Sequence, residues 1–231
     1  QLLGVSSRLR SLIIDEAHCI TQWGSSFRPA YRRLGALRSA LQLQHAAHPI
    51  SIAAFTATAD PITQRDIQQV LGLKQPQVFR SSPYRKNLFL RIVRVWTPAT
   101  RRDRLQSFIQ SQGGTAGLVY TRSRRDSELL ATWLQQQGHE TAAYHAGLSA
   151  PHRRRIEQQW LLGQMPFVIC TSAFGMGVDK SNVVWICHFH PPLTLAEYLQ
   201  EIGRAGRDGQ PAQTVLLASE PTGLLDPTDK E

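Results

Sequence analysis

The sequence predicts an α/β protein with two helix-covered parallel sheets, the first of them incomplete. Three observations carry this. Short apolar runs alternate along the chain with amphipathic stretches, the pattern of parallel strands joined by crossover helices. The runs recur at 10–14, 50–55, 116–120, 167–170, 183–189 and 214–218. That rhythm breaks between residues 73 and 98, where "KQPQVFRSSPYRKNLFLRIVRVWTP" is rich in Pro, Ser and Arg and has no 3.6-residue period. This stretch reads as a crossing between two units. The expected division is 1–80, a linker over 81–90, a second domain over 91–219 and a tail over 220–231. Only two clear strands precede the crossing, so the first sheet is short of partners.

The elements follow in order. The first strand candidate, Leu12-Ile13-Ile14, runs into Asp15 and Glu16, and the second runs into Thr56-Ala57-Thr58. "PITQRDIQQVLG" begins with Pro61 in its first turn and closes at Gly72, the usual punctuation of a helix. "SRRDSELLATWLQQQG" has Ser123 as N-cap, Leu129, Leu130, Trp133 and Leu134 as its apolar residues, and Gly138 as its stop. "TLAEYLQEIG" starts with Thr194 and Glu197 in capping-box spacing.

Composition narrows the function classes. Hydrophobic content of 42% and charged content of 19% are those of an ordinary globular protein. No apolar run reaches the roughly 18 residues of a membrane span, and no signal-peptide layout opens the chain. The chain starts at Gln1 without a Met, which reads as a piece of something longer. Formal charge is +9, and of the 26 basic residues only four are lysines, the other 22 being arginines. Arginine suits bidentate grasp of phosphate, although a basic surface can also be mere solvation. Cys19, Cys170 and Cys187 lack CxxC spacing and read as buried thiols of a reducing cytoplasm, neither zinc site nor disulfide framework.

Four stretches could carry chemistry. Asp15 and Glu16 stand at the carboxyl end of a strand, where α/β sheets place their sites. One acid there can hold Mg²⁺ through waters while the next deprotonates an attacking water. A bare Asp-Glu pair is ordinarily only a cap; the specific signal is the full string "LIIDEAHC", which brings His18 with it. Thr56 and Thr58 could relay hydrogen bonds. "FVICTSAFGMGVDK" leads a strand into a loop whose Gly175 and Gly177 allow close backbone approach to a ligand, with Asp179 and Lys180 for ribose or phosphate. "QEIGRAGRDG" sets Arg204 and Arg207 among small residues, unobstructed and suited to clamping a transferring phosphate.

Taken together, DEAH, TAT, AFGMG and QEIGRAGRDG in this order resemble the superfamily-two helicases, and within them the RecQ family of DNA helicases. The His-Cys after DEA, the following "QWGSSFRPAY" and the closing "GRAGRDG" favour that family over RNA-directed relatives, and the likeness runs from about residue 8 to 218. It implies two RecA-like domains of P-loop NTPase type. It assigns Mg²⁺ to Asp15, water activation to Glu16 with His18 beside it, and coupling to Thr56 and Thr58. Trp23, Phe27 and Arg28 would form a loop that senses single-stranded DNA, aromatic faces accepting any base by stacking. Arg122 and His145 would contact the DNA backbone. Gly175, Gly177, Asp179, Gln200, Arg204 and Arg207 would face ATP, with Arg207 as arginine finger. His190 departs from the pattern, standing where relatives more often carry an acid; Asp179 stands where some carry Asn.

None of the four lysines follows a glycine, so these residues contain no Gly-Lys-Ser/Thr phosphate loop. The expectation is a partner segment supplied in cis upstream, and no ATP-driven unwinding by this stretch alone. The parent is expected to be a cytoplasmic, nucleoid-associated, 3′-to-5′ translocase acting on single-stranded DNA and forked duplexes with ATP and Mg²⁺. Two other readings stay open: an RNA-directed ATPase of the same superfamily, and a non-catalytic nucleic-acid-binding module.

Overall fold

The structure is a computed structural model and describes residues 10–20, 34, 50–57, 59–174, 180–220 and 225–229. It divides into two units, Gln1–Pro83 and Tyr84–Glu231.

In the first unit, β1 (Ser11–Ile14) pairs in parallel with β2 (Ser51–Ala54), Ile14 opposite Ala54. A short 3₁₀ turn, Ala17–Ile20, follows β1. Helix α1 (Pro61–Val70) starts where Asp60 accepts from the Thr63 amide, and Gly72 leaves it with a φ of 59°. Ile14, Ala17, Ile20, Ile67 and Leu71 form its small core. Ile13 and Phe55 remain 67% and 55% exposed, so among the described residues one face of this two-stranded sheet is uncovered.

The second unit is a six-stranded, all-parallel sheet in the order β3-β8-β7-β4-β6-β5. The strands are β3 (Leu88–Val95), β4 (Gly117–Tyr120), β5 (Ala143–Tyr144), β6 (Phe167–Cys170), β7 (Trp185–His188) and β8 (Ala212–Ser219). Four helices join them: α2 (Pro98–Ser111), α3 (Arg124–Gln136), α4 (Ala150–Leu161) and α5 (Leu195–Ile202). All residues of β4, β6 and β7 are buried, as expected of central parallel strands covered on both faces. Successive residues alternate between two cores. Val119, Ile169 and Cys187 pack with Leu105 and Ile109 of α2 and Leu130 and Leu134 of α3. Leu118, Tyr120, Val168 and Ile186 pack with Ile156 and Trp160 of α4.

Three expectations need correction. The stretch 88–95 is not irregular crossing but an eight-residue edge strand, paired along its whole length with β8. Arg91 and Arg94 interrupt its apolar run, and Phe89, Leu90 and Ile92 are exposed, so it lacks the signature of a buried strand. At α5 the capping box is only half formed: Thr194 accepts from the Glu197 amide, but Glu197 reaches the amide of Leu193 instead of the cap residue. A full box occurs at α2, between Thr97 and Thr100.

The region expected as a tail is, where described, built into the fold. Asp226 is fully buried and pairs with Arg101, itself fully buried, at 2.8 Å. The same guanidinium meets Asp229 at 2.6 Å and donates to the carbonyls of Phe189 and Leu217 beyond and within neighbouring strands. Five donors in one planar fork suit this junction of carboxylates and strand ends.

Candidate functional site

In the first unit the parallel register carries both strands to one edge. Past Ile14 and Ala54 the ladder continues, Phe55 N–H donating to the Ile14 carbonyl at 2.8 Å and Ala17 N–H to the Phe55 carbonyl at 2.9 Å. Asp15 and Glu16 therefore stand alongside Thr56. Asp15 is exposed at the strand end and accepts from the Glu16 amide at 2.8 Å. Glu16 takes a left-handed φ of 51°, a backbone state that costs a non-glycine residue about 1–2 kcal/mol. Such strain persists where surrounding contacts over-determine it. Here those contacts are visible: buried His18 places Nδ1 3.2 Å from Glu16 Oε2 and 3.0 Å from Thr56 Oγ1. One ring nitrogen thus bridges the second acid and the threonine hydroxyl. Asp15 offers a hard, solvent-facing carboxylate, a donor suited to Mg²⁺ that keeps most of its waters. Among the described residues no cluster of three or more His, Cys, Asp or Glu could cage a metal.

In the second unit the predicted residues divide between the two ends of the sheet. Arg122 and His145 follow β4 and β5 at the carboxyl ends. Arg204 and Arg207 lead into β8 at the amino ends, the Gly206 amide between them donating to the Val183 carbonyl just before β7. Arg204 and Arg207 follow α5, Arg204 half-buried and Arg207 solvent-facing; Gln200 lies exposed in the last turn of α5. The Arg204 guanidinium lies beside the Tyr120 hydroxyl, while burial pushes the Tyr120 phenol and the Cys170 thiol well above their ordinary range. Glu201 biases both groups upward and Arg204 biases both downward, so these two side chains face one buried spot with opposite charge. Glu201 is held there by His188, whose Nε2 meets Glu201 Oε2 at 2.8 Å. The His188 ring stacks on Tyr120, centroids 5.2 Å apart and planes 17° from parallel.

The loop between the arginines turns at Gly206, with a φ of 57°. A Cβ there would collide with the Asn87 amide nitrogen and the Gln210 carbonyl, so glycine is required on both counts. Its carbonyl accepts from Asn87 Nδ2 at 2.8 Å and from Arg85, and its N–H donates to the Val183 carbonyl at 2.8 Å.

At the end of β4, Arg122 donates its guanidinium to the Asp229 carbonyl, and its amide donates to His190 Nδ1 at 3.2 Å. Burial first of all holds His190 far down, to about 4. A neutral imidazole presents a lone pair to that amide, as a carboxylate oxygen at this position would. His145 is buried at 3% exposure, Nε2 meeting Glu128 at 2.9 Å and Nδ1 accepting from the Gly147 amide at 3.2 Å. Its ring therefore pins its own turn from inside. Trp23, Phe27, Arg28, Thr58, Gly175, Gly177 and Asp179 lie outside the described residues. Cys19, Cys170 and Cys187 are all buried and none is in a disulfide.

Sequence reasoning passed over Arg85, Asn87, Glu201, Tyr120 and His188. Glu201 sits inside the quoted "QEIGRAGRDG", so its three-residue offset from Arg204 was available as a signal. Arg85 and Asn87 act on carbonyls about 120 residues away and leave no local mark.

Comparison with known proteins agrees with this layout. The helicase conserved C-terminal domain family matches residues 100–209. The ATP-dependent DNA helicase RecQ of Synechocystis sp. is 48% identical over 224 residues, covering 97% of this chain and 46% of that protein. RecQ of Pasteurella multocida is 42% identical, covering 88% of the chain and 31% of the relative. The chain thus spans half or less of the length of these relatives. A structure of Mycobacterium smegmatis helicase Lhr bound to ssDNA and AMP-PNP superposes with a TM-score of 0.69 over 95% of the chain and 30% of Lhr; at 23% identity it speaks to the fold alone. No described helix is long and apolar enough to cross a membrane. With an acid pair at a strand end, an arginine loop fixed by its glycine and near-half identity over almost every residue, the chain is homologous to part of the RecQ helicases.

Proposed function

We propose that the chain serves in an ATP-dependent 3′-to-5′ DNA helicase, coupling nucleotide hydrolysis to movement along single-stranded DNA and opening of forked duplexes. The observation that carries this is the His18 bridge, which ties the acid assigned to water activation to the threonine assigned to coupling. In this reading Asp15 would hold Mg²⁺, which would supply charge neutralisation at the phosphates. Glu16 accepts the proton of the attacking water as the bond from the terminal phosphorus to its bridging oxygen breaks. His18 fixes the rotamer of Glu16. Arg204 and Arg207 offer guanidinium donors to the charge that develops on the phosphoryl oxygens, with Gln200 beside them, a contribution of 10³–10⁵ in rate where such arginines are known. Gly175, Gly177 and Asp179 would take the ribose and phosphates.

DNA contacts fall to Trp23, Phe27 and Arg28, to Arg122, and to the turn that His145 holds. The excess of arginine makes this binding steep in salt. The natural polypeptide carrying these residues is the material for the test. ATP turnover should rise at least tenfold with single-stranded DNA, and Glu16→Gln should abolish it while leaving DNA binding intact. Stimulation by RNA in preference to DNA, or full turnover by Glu16→Gln, overturns the reading.

A further inference from the structure

The loop that bears Arg204 and Arg207 is gripped by two side chains from the first residues of the second unit. Asn87 Nδ2 donates to the Gly206 carbonyl and to the Gln210 carbonyl, each at 2.8 Å. Arg85 donates through Nη2 to the carbonyls of Gly206 and, at 3.4 Å, Ala205; its Nε donates to Asn87 Oδ1 at 3.3 Å. The Asn87 carbonyl accepts from the Ala212 amide at 2.8 Å, which starts the β3–β8 ladder. The two side chains therefore span the loop from Ala205, the residue after Arg204, to Gln210, two residues before β8. Three carbonyls that would otherwise face water or each other all point at them.

The grip has a definite chemistry. Both protons of one amide are used on two carbonyls of the same turn, and its oxygen orients the arginine that covers a third. Gly206 has no Cβ, and that absence admits the Asn87 amide. A left-handed residue at 206 then reverses the chain so that Arg204 and Arg207 leave the turn from either side of one clamped peptide. Arg207 directly follows the clamped carbonyl, so a change in that peptide's orientation moves the start of its side chain.

We infer that Asn87 and Arg85 are positioning residues for the arginine loop, setting the direction in which Arg207 and Arg204 are presented. This rests on the proposal that those arginines act on the nucleotide. The two residues lie at the entrance to the second unit, immediately after its boundary at Pro83–Tyr84. The first residues of the second unit therefore also hold the loop expected to meet the phosphates.

The test uses the natural polypeptide and reads DNA-stimulated ATP turnover. Asn87→Asp keeps size and shape but turns carboxylate oxygens toward two carbonyls. It should lower kcat at least tenfold, with KM for ATP and affinity for single-stranded DNA within threefold. Arg85→Gln should act in the same direction, and Arg85→Lys should recover more than half of the lost rate. The decisive arm places Asn87→Asp in an Arg207→Ala background. If Asn87 works through the arginine, the second change adds less than threefold to the first, because residues acting as a unit are non-additive. Multiplied losses, or a wild-type kcat for Asn87→Asp, overturn the inference. If Arg207→Ala and Arg204→Ala both turn over like wild type, the arginine reading itself fails and the inference falls with it. Should Asn87→Asp not fold, Arg85→Gln against Arg85→Lys decides on the same criteria.

Discussion

Replacing Arg101 with Met is the sharpest probe of what holds the second unit together. Met keeps the apolar stem and removes the guanidinium. Left behind are Asp226, fully buried, Asp229 with a side chain 12% exposed, and the carbonyls of Phe189 and Leu217. Removing one partner of a buried ion pair costs about 3–5 kcal/mol, since the remaining charge has neither water nor a counterion. Orphaned carbonyls add to that, each by about 1–3 kcal/mol where water cannot reach. A loss of at least about 3 kcal/mol is therefore expected. For a unit of this size that is a fall in Tm of roughly 6–12 °C or more. Urea unfolding followed by the fluorescence of Trp160 and Trp185, both buried in this unit, measures it. The midpoint should drop with an unchanged slope. Replacing Arg101 and Asp226 together, with Met and Leu, should recover part of the loss, because an apolar pair leaves fewer stranded charges. A loss below about 1 kcal/mol for Arg101→Met would refute the reasoning: the residues after 225 would then be resting on the fold without supporting it.

Three further outcomes follow from the same geometry. Gly117→Ala should destabilise by about 3 kcal/mol or more, since its Cβ would enter the Trp185 ring, which Phe108, Phe167 and a 3.0 Å bond to the Thr115 carbonyl hold in place; loss of the near-ultraviolet signal of the tryptophans is the check. His190 titrates near 4 when folded against about 6.5 when unfolded, so the unfolded chain takes up its proton first as pH falls. Its contribution is complete above pH 6.5 and declines toward pH 4, by about 2 kcal/mol at pH 5, a slope that His190→Asn should remove from urea midpoints measured at pH 7.5 and 5. The 231-residue chain by itself should hydrolyse no ATP, having no Gly-Lys-Ser/Thr loop to cradle the phosphates; DNA-stimulated phosphate release by pure chain would contradict this.

How much of this was legible in the sequence depends on how local each cause is. "FVIC" and "WICH" announce β6 and β7 because a strand covered on both faces must be apolar throughout. β3 escapes because, as an edge strand, it tolerates Arg91 and Arg94 in its middle. β5 has only two residues and nothing periodic to read. At the site, Asp15, Glu16, Arg204 and Arg207 were visible as motifs. His145 was not readable as a buried pin, since its partner Glu128 lies on a helix 17 residues away. Asp226 looked like a terminal acid until the fold placed Arg101 beside it, 125 residues distant. Tertiary hydrogen bonds to backbone leave no trace in residue spacing, and most of what sequence reasoning missed is of that kind.

The β1–β2 register has a consequence for what the chain can tolerate. Ile14 faces Ala54, and Glu16 and Thr56 each lie two residues further on. The distance from acid to hydroxyl across His18 is thus measured out by equal counts on two strands. An insertion of one residue between Ser51 and Thr56 would turn the threonine to the opposite side of the sheet. The number of residues joining Ile20 to Ile50 has no part in that count. Indels should therefore be permitted by this geometry in the joining segment and lethal to it within two residues of either strand end, a pattern that a simple insertion scan would display as a ruler with one fixed length.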